Sequence, residues 1–278
     1  MEVARTVVDV RSALARAARP VGFVPTMGAL HDGHLSLVER ARERVATVVV
    51  SIFVNPLQFG PSEDFARYPR SEGQDFERAA DAGVDIVFAP NGEEMYPAGH
   101  ATTVSVAGVS EPYEGARRPG HFDGVATVVA KLFEIVDPDL AFFGQKDAQQ
   151  VAVVRKMVCD LDMPVEIVAC PTIREPDGLA LSSRNVYLDP ADRLAAPCLF
   201  RALQTGAAAI TSGDTPEAAV QAMTAVLQAE PRIEIDYAAA VDPGSFAAPD
   251  PAGPVLLIVA ARVGRTRLID NLLVETTS

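Results

Sequence analysis

The sequence predicts an α/β fold, a parallel sheet with helices on both faces, followed by a smaller α+β domain at the C-terminal end. Three observations predict it. Over the first 170 residues short β-branched runs alternate with apolar residues at helical spacing, the pattern of strand–helix–strand units. The run Val-Ala-Thr-Val-Val-Val-Ser-Ile-Phe-Val at 45–54 is almost continuously apolar or β-branched, as a strand covered on both faces must be. After Cys170 the alternation stops, and two alanine-rich helical stretches lead into three strand-like runs. With 278 residues, two modest domains of roughly 150 residues or fewer fit the length. The boundary is expected at 172, giving domains 1–172 and 173–278.

In order, strands are expected at 21–26, 45–54, 84–89, 139–143 and 165–170, with 45–54 central. Helices are expected between them at 34–44, 72–82, 124–136 and 147–161. In the last, Val151, Val154, Val158 and Leu161 form one stripe that should face the core. The second domain is expected to carry helices at 190–210 and 215–229. Its strands follow at 233–241, 254–263 and 266–273, with a Pro/Gly-rich loop from Asp242 to Pro254.

Composition excludes several function classes. A formal net charge of −13 disfavours non-specific nucleic-acid binding, which needs a cationic face. Cys159, Cys170 and Cys198 are an odd count without Cys-x-x-Cys spacing, so neither a disulfide framework nor a structural zinc site is expected and all three read as packing residues. No apolar run reaches about 18 residues, and Met-Glu-Val-Ala-Arg-Thr lacks the basic and apolar regions of a signal peptide. A cytoplasmic protein with no membrane partner is expected.

Ligands of open α/β sheets bind beyond the carboxyl ends of the strands, which singles out the loops 25–34, 55–70, 144–147 and 171–185. The first, Pro25-Thr26-Met27-Gly28-Ala29-Leu30-His31-Asp32-Gly33-His34, ends at a helix start. Unpaired backbone N–H groups and the helix dipole favour phosphate there. Gly28 and Gly33 permit close backbone approach, and two histidines three apart can donate to charge developing on a phosphoryl group. Zinc is disfavoured because no His-Glu-x-x-His helix or cysteine cluster is present. Neither a G-x-G-x-x-G fingerprint nor a Walker A loop is present, which disfavours dinucleotide redox chemistry and P-loop hydrolysis.

In the second loop, Gln58 is a neutral amide suited to a substrate with hydroxyl and carboxylate groups. A nucleophilic carboxylate is better held by amides than by a guanidinium, which would stabilise the ground-state charge that attack consumes. In the third, Lys146 is one of three lysines against twenty-one arginines, a compact charge for phosphate oxygens. Asp147 also reads as a helix N-cap, worth about 1 kcal/mol. In the fourth, the hydroxyls of Ser182 and Ser183 and the guanidinium of Arg184 suit phosphate oxygens. The charged stretch 111–124 offers Arg117, Arg118 and His121 to a carboxylate, or forms a surface loop or subunit contact.

Four motifs stand in order: Pro25-Thr26-Met27-Gly28-Ala29-Leu30-His31, Phe53-Val54-Asn55-Pro56-Leu57-Gln58-Phe59-Gly60, Phe143-Gly144-Gln145-Lys146-Asp147 and Ser182-Ser183-Arg184-Asn185. Together with His-x-Gly-His at 31–34 they resemble the nucleotidylyltransferase superfamily and, within it, the pantoate–β-alanine ligase family, over essentially the whole chain. That resemblance implies a Rossmann-like first domain, a second domain acting as a lid with a hinge near Pro171 to Gly178, and a homodimer formed through the first domain. It implies ATP held by Met27, Gly28, Ala29, Leu30, His31, Asp32, Gly33 and His34, by Gly144, Gln145, Lys146 and Asp147, and by Leu181, Ser182, Ser183 and Arg184. Adenine would lie against backbone near Ile173, Lys146 on the phosphates and Asp147 toward the ribose.

By the same resemblance Gln58 and Gln150 bind pantoate, Gln58 also binds β-alanine, and His34, His31, Lys146 and Arg184 are catalytic. Mg²⁺ would bridge phosphate oxygens, and the protein itself would supply no metal site. Phe143, Met27 and Pro25 offer an apolar wall to the methyl groups of pantoate, or belong to the core. Leu181 stands where the family typically has methionine, a near-equal volume. The implied reaction is ATP-dependent condensation of (R)-pantoate with β-alanine through pantoyl adenylate, releasing pyrophosphate and AMP. Two alternatives stay open: a nucleotidylyltransferase joining AMP to a phosphate monoester, which needs cationic contacts where this chain has Gln58 and Gln150, and a nucleotide-binding regulatory protein without turnover.

Overall fold

The β-branched runs of the first 170 residues become one parallel sheet. In the computed structural model, which describes residues 1–61, 63–250 and 252–275, the elements run β1 (Glu2–Ala4), α1 (Val7–Leu14), β2 (Val21–Thr26), α2 (Asp32–Arg42), β3 (Thr47–Ile52), α3 (Glu72–Asp81), β4 (Ile86–Phe88), α4 (Gly92–Met95), α5 (Glu114–Arg117), α6 (His121–Val136), β5 (Leu140–Gly144), α7 (Ala148–Asp160) and β6 (Glu166–Cys170). The sheet order is β1-β4-β3-β2-β5-β6, with every pairing parallel. From β2 the chain builds outward through β3 and β4, then crosses back to place β5 on the other side of β2. The order therefore reverses between β2 and β5, where an open sheet leaves a crevice at its carboxyl edge.

As expected, β3 is interior, and Val48, Val49 and Val50 are fully covered. On one side of the sheet Val24, Val48, Val50, Val87 and Phe142 pack with Leu37, Val38 and Ala41 of α2. Removing a leucine from such a core costs about 2–5 kcal/mol.

The chain divides into two compact units, 1–144 with 153–170, and 145–152 with the chain from Pro171 onward. The second unit carries α8 (Pro190–Ala195), α9 (Cys198–Thr211) and α10 (Pro216–Gln228). They pack on an antiparallel sheet β7 (Ile233–Val241), β8 (Val255–Val263) and β9 (Thr266–Val274). The last three residues of the expected domain 173–278 lie outside the described residues.

Several sequence expectations need correction. β1 and α1 lie outside the expected elements; they are short, and their apolar residues give too few periods to stand out. The expected helix 190–210 is two helices, α8 and α9, because Pro197 precedes Cys198 and a proline nitrogen cannot donate within a helix. Leu161 is 54% exposed, since α7 ends at Asp160; the buried line of α7 runs through Val151, Val154 and Met157. Cys159 is exposed, whereas Cys170 and Cys198 are buried packing thiols. The stretch 111–124 is not an open loop: it carries α5 and the first turn of α6. The stretch Pro171 to Gly178, where a hinge is expected, begins the longer segment of the second unit; there Arg174 is bridged to Ala180 and the Leu181 N–H donates to Ile173 O at 2.9 Å, which leaves that expectation unchanged.

Candidate active site

The loop from β2 to α2 is built by backbone donors and one buried carboxylate. Thr26 Oγ1 donates to Ser51 O at 2.7 Å and accepts from the Gly28 N–H at 3.2 Å. Gly28 has φ +81°, and a Cβ there would stand 3.0 Å from Asp75 Oδ2 and 3.1 Å from Ile52 Cγ2. Asp75 of α3 is 2% exposed and accepts from the Ala29 N–H at 3.0 Å and the Leu30 N–H at 2.7 Å. Those two amides would otherwise be stranded in a tight turn, at about 1–3 kcal/mol each.

The two histidines cap α2 and thereby acquire a defined tautomer. His31 Nδ1 accepts from the Gly33 N–H at 3.1 Å, and His34 Nδ1 accepts from the His31 N–H at 3.3 Å, a reciprocal capping box. A ring nitrogen that accepts a hydrogen bond cannot hold the proton, so in each neutral ring the proton resides on Nε2. The rings lie 4.1 Å apart between centroids. Two imidazole N–H donors therefore stand together at the positive end of an eleven-residue helix.

Gln58 is oriented with equal definition. Asn55, 1% exposed, donates through Nδ2 to Gln58 Oε1 and to Gly124 O, both at 3.0 Å. Its Oδ1 accepts from the Leu57 N–H at 3.2 Å and from Tyr96 Oη at 2.8 Å. Burial raises the Tyr96 phenol above its ordinary value, so it remains a donor. With Oε1 engaged, Gln58 presents Nε2, which contacts Met27 Sδ at 3.2 Å. The side chain is a directed N–H donor beside the β2 loop.

Arg118 and His121 do not stand open to a carboxylate. Arg118 is paired with Glu63, Nε to Oε1 at 2.7 Å and Nη2 to Oε2 at 2.8 Å, and this ion pair holds the Glu63 carboxyl below its ordinary value against the opposing effect of burial. Burial, with the charge of Arg118 second, pushes His121 down to about 4. The neutral ring sits with Nδ1 2.9 Å from Gln58 O and Nε2 3.0 Å from Arg118 Nη1. Because the guanidinium can only donate, Nε2 accepts and Nδ1–H donates to the Gln58 carbonyl. The pair fixes the loop that carries Gln58. Phe143 is 3% exposed and stacks edge-on against Phe133 at 6.5 Å, so it belongs to the core.

The second unit holds Gln145, Lys146, Asp147, Gln150, Ile173 and the stretch from Leu181 to Arg184, while Gly144 ends β5 in the first unit. Lys146 lies in a 3-10 turn over Gln145–Asp147 that leads directly into α7, with Nζ 3.8 Å from Asp147 Oδ1. Lys146 and Ser182 line one small pocket, together with Asn185, Leu199, Phe200 and Asp270. Ser182 Oγ caps the turn Ser183–Tyr187 by accepting from the Arg184 N–H at 3.2 Å. Gln150 is half-buried in the first turn of α7, next to the buried Gln149. Ile173 is 37% exposed.

Four participants escape a reading by motif: Asp75, Asn55 as an orienting group, Tyr96, and the pair Asp270–Asn271. A signal existed for two of them. Asp75 falls on the buried side of α3 one turn before Ala79, and Asp270–Asn271 interrupts the apolar run Leu268-Ile269 and Leu272-Leu273. A charge on an apolar face must be paired, but its partner is remote in sequence and leaves no local pattern.

Comparison with known proteins fixes the family. The family model for pantoate-beta-alanine ligase matches residues 2–273. The pantothenate synthetase of Acidothermus cellulolyticus is 55% identical over 97% of this chain and 90% of that protein. That of Moorella thermoacetica is 54% identical over 99% of both. The crystal structure of pantothenate synthetase from Thermus thermophilus superposes with a TM-score of 0.95 at 53% identity, covering 98% of this chain and 99% of that one. The Francisella tularensis pantoate-beta-alanine ligase, solved in complex with beta-gamma ATP and beta-alanine, superposes with a TM-score of 0.81 at 33% identity over 98% and 97%. With a model match running nearly end to end and relatives of similar length, this chain belongs to the pantoate-beta-alanine ligase family.

Proposed function

We propose that this chain condenses (R)-pantoate with β-alanine at the expense of ATP, through pantoyl adenylate, releasing pyrophosphate and then AMP. The observation that carries the reading is the donor set of the first unit. Two Nε2–H imidazoles stand at the start of α2, with the directed N–H of Gln58 beside the same loop. A carboxylate held by a neutral amide keeps its nucleophilicity, whereas a phosphate-monoester acceptor would need cations at that place. Family membership and the co-crystallised ATP and beta-alanine of the Francisella tularensis relative support the same substrates.

In the first step a pantoate carboxylate oxygen attacks the α-phosphorus and the bond to the bridging oxygen breaks, so pyrophosphate leaves. His34 and His31 donate to the nonbridging oxygens as charge accumulates, a role worth on the order of 10²- to 10³-fold per donor. Lys146, Ser182, Ser183 and Arg184 act on the departing β- and γ-phosphates. Backbone of Met27 to Gly33, Gly144, Gln145, Ile173 and Leu181, with Asp147 toward the ribose, holds the rest of the nucleotide. Gln58 and Gln150 hold pantoate. In the second step the neutral amine of β-alanine, positioned by Gln58, attacks the acyl carbon and AMP leaves with the oxygen that pantoate contributed. The second unit acts as a lid that keeps water from the mixed anhydride.

Mg²⁺ is proposed to accompany ATP, whose phosphate oxygens would supply ligands to it. The active species is proposed to be a cytoplasmic homodimer; among the described residues no helix is long and apolar enough to cross a membrane. Mass spectrometry of the products with ATP, pantoate and β-alanine, each omitted in turn, tests the reading. It expects AMP and pantothenate only with all three present. Pyrophosphate release that instead requires a phosphate monoester, with AMP recovered joined to that monoester, would overturn it.

A further inference from the structure

Two side chains of the last strand bear on the turn that carries Lys146 and on Arg174, both remote from them in sequence. Asn271 of β9 is 4% exposed and donates through Nδ2 to both Gln145 O and Lys146 O, each at 2.9 Å. Its neighbour Asp270, also 4% exposed, accepts from Arg174 Nη1 at 2.6 Å and Nη2 at 2.9 Å, and from the Asn271 N–H at 2.8 Å. Arg174 in turn donates to Gly178 O at 3.1 Å and Asn271 O at 3.2 Å, and its guanidinium lies 3.8 Å from the Phe200 ring centroid.

This network is not needed to close the sheet, because β9 pairs with β8 through backbone along its whole length. It reaches instead into the segments on either side of Lys146 and Ser182. Arg174 follows Ile173, whose carbonyl receives the Leu181 N–H, and Leu181 precedes Ser182. A buried ion pair contributes little net stability but can specify a geometry; around it Asn271 is held by both of its Nδ2 bonds, while its Oδ1 is buried with no hydrogen-bond partner. Here the network sets the spacing between the turn bearing Lys146 and the turn bearing Ser182 to Arg184.

We propose that Asp270 and Asn271, with Arg174, are positioning residues for the phosphate-handling side chains, Asn271 acting on Lys146 through its backbone. The proposal deepens the reading of Lys146 as a phosphate contact and rests on it. Two measurements keep the two claims apart. Hydrogen–deuterium exchange of the intact protein should quicken over 145–150 in Asn271→Ala, while 27–34 stays unchanged; the milder Asn271→Ser should show the same pattern and serves if the alanine variant folds poorly. Unchanged exchange over 145–150 overturns the inference whatever Lys146 does.

Kinetics supply the second arm. Asn271→Ala should raise KM for ATP about tenfold and leave KM for pantoate within about twofold. In a Lys146→Ala background the same substitution should add almost nothing, because its effect passes through Lys146. A full independent loss in that background overturns the inference. Lys146→Ala with normal ATP kinetics would instead overturn the role of Lys146, with the exchange result still standing as evidence that Asn271 orders the turn.

Discussion

At the scale of single residues, the site is defined by which nitrogen carries a proton. His31 and His34 use Nδ1 on backbone amides, so the capping of α2 leaves Nε2 as the protonated nitrogen of each neutral ring. His34→Ala should lower adenylation, read as pantoate-dependent pyrophosphate exchange, by about 10² to 10³; a near-normal rate would remove His34 from the chemistry. Gln58→Ala should raise KM for pantoate while leaving ATP affinity largely intact, and equal loss of both would indicate general misfolding. His121 carries a pH signature. Its folded value of about 4 lies below the ordinary 6.5, so the unfolded chain binds a proton that the native state refuses. The stabilisation is complete above 6.5 and is lost as pH falls toward 4. Urea midpoints measured at pH 7 and pH 5 should separate more in the wild type than in His121→Asn, and equal separation would contradict the assignment.

At the scale of elements, close approaches decide where the side chains go. A Cβ on Gly124 of α6 would stand 2.3 Å from Leu57 O and 2.6 Å from the Gln58 nitrogen, both backbone atoms that cannot swing aside. Gly124→Ala should therefore push the Pro56–Gln58 turn outward and raise KM for pantoate more than KM for ATP. Titration of initial rates against each substrate checks this, and unchanged pantoate kinetics would refute it. Asp75 plays the matching part for the β2 to α2 loop. Asp75→Ala strands the amides of Ala29 and Leu30 and should cost on the order of 2–5 kcal/mol, measured by denaturant unfolding, together with a loss of adenylation that exceeds the loss of stability at assay temperature. The two helices thus serve the site chiefly through what they fix in neighbouring loops.

At the scale of the whole molecule, the sequence discloses what is local and hides what is not. The strands β2, β3, β5 and β6 and the antiparallel trio β7 to β9 are legible because alternation or continuous apolarity within a few residues suffices to mark them. His31, Gly33 and His34 are legible because a helix start after a strand is itself a local event. Asp75 bonds to residues 45 and 46 positions away, and Asn271 to residues 126 and 125 positions away; no period or motif encodes such distances. Arg118 and His121 mislead for the same reason. Their charge and shape are plain in the sequence, but Glu63, which takes up the charge, is 55 residues earlier.

Carboxylate attack at the α-phosphorus, on which the proposed chemistry turns, can be followed atom by atom. With pantoate carrying ¹⁸O in both carboxylate oxygens, one label should pass to AMP and one should remain in the pantothenate amide, while pyrophosphate stays unlabelled. Label found in inorganic phosphate with ADP as co-product, or AMP without label, would contradict it.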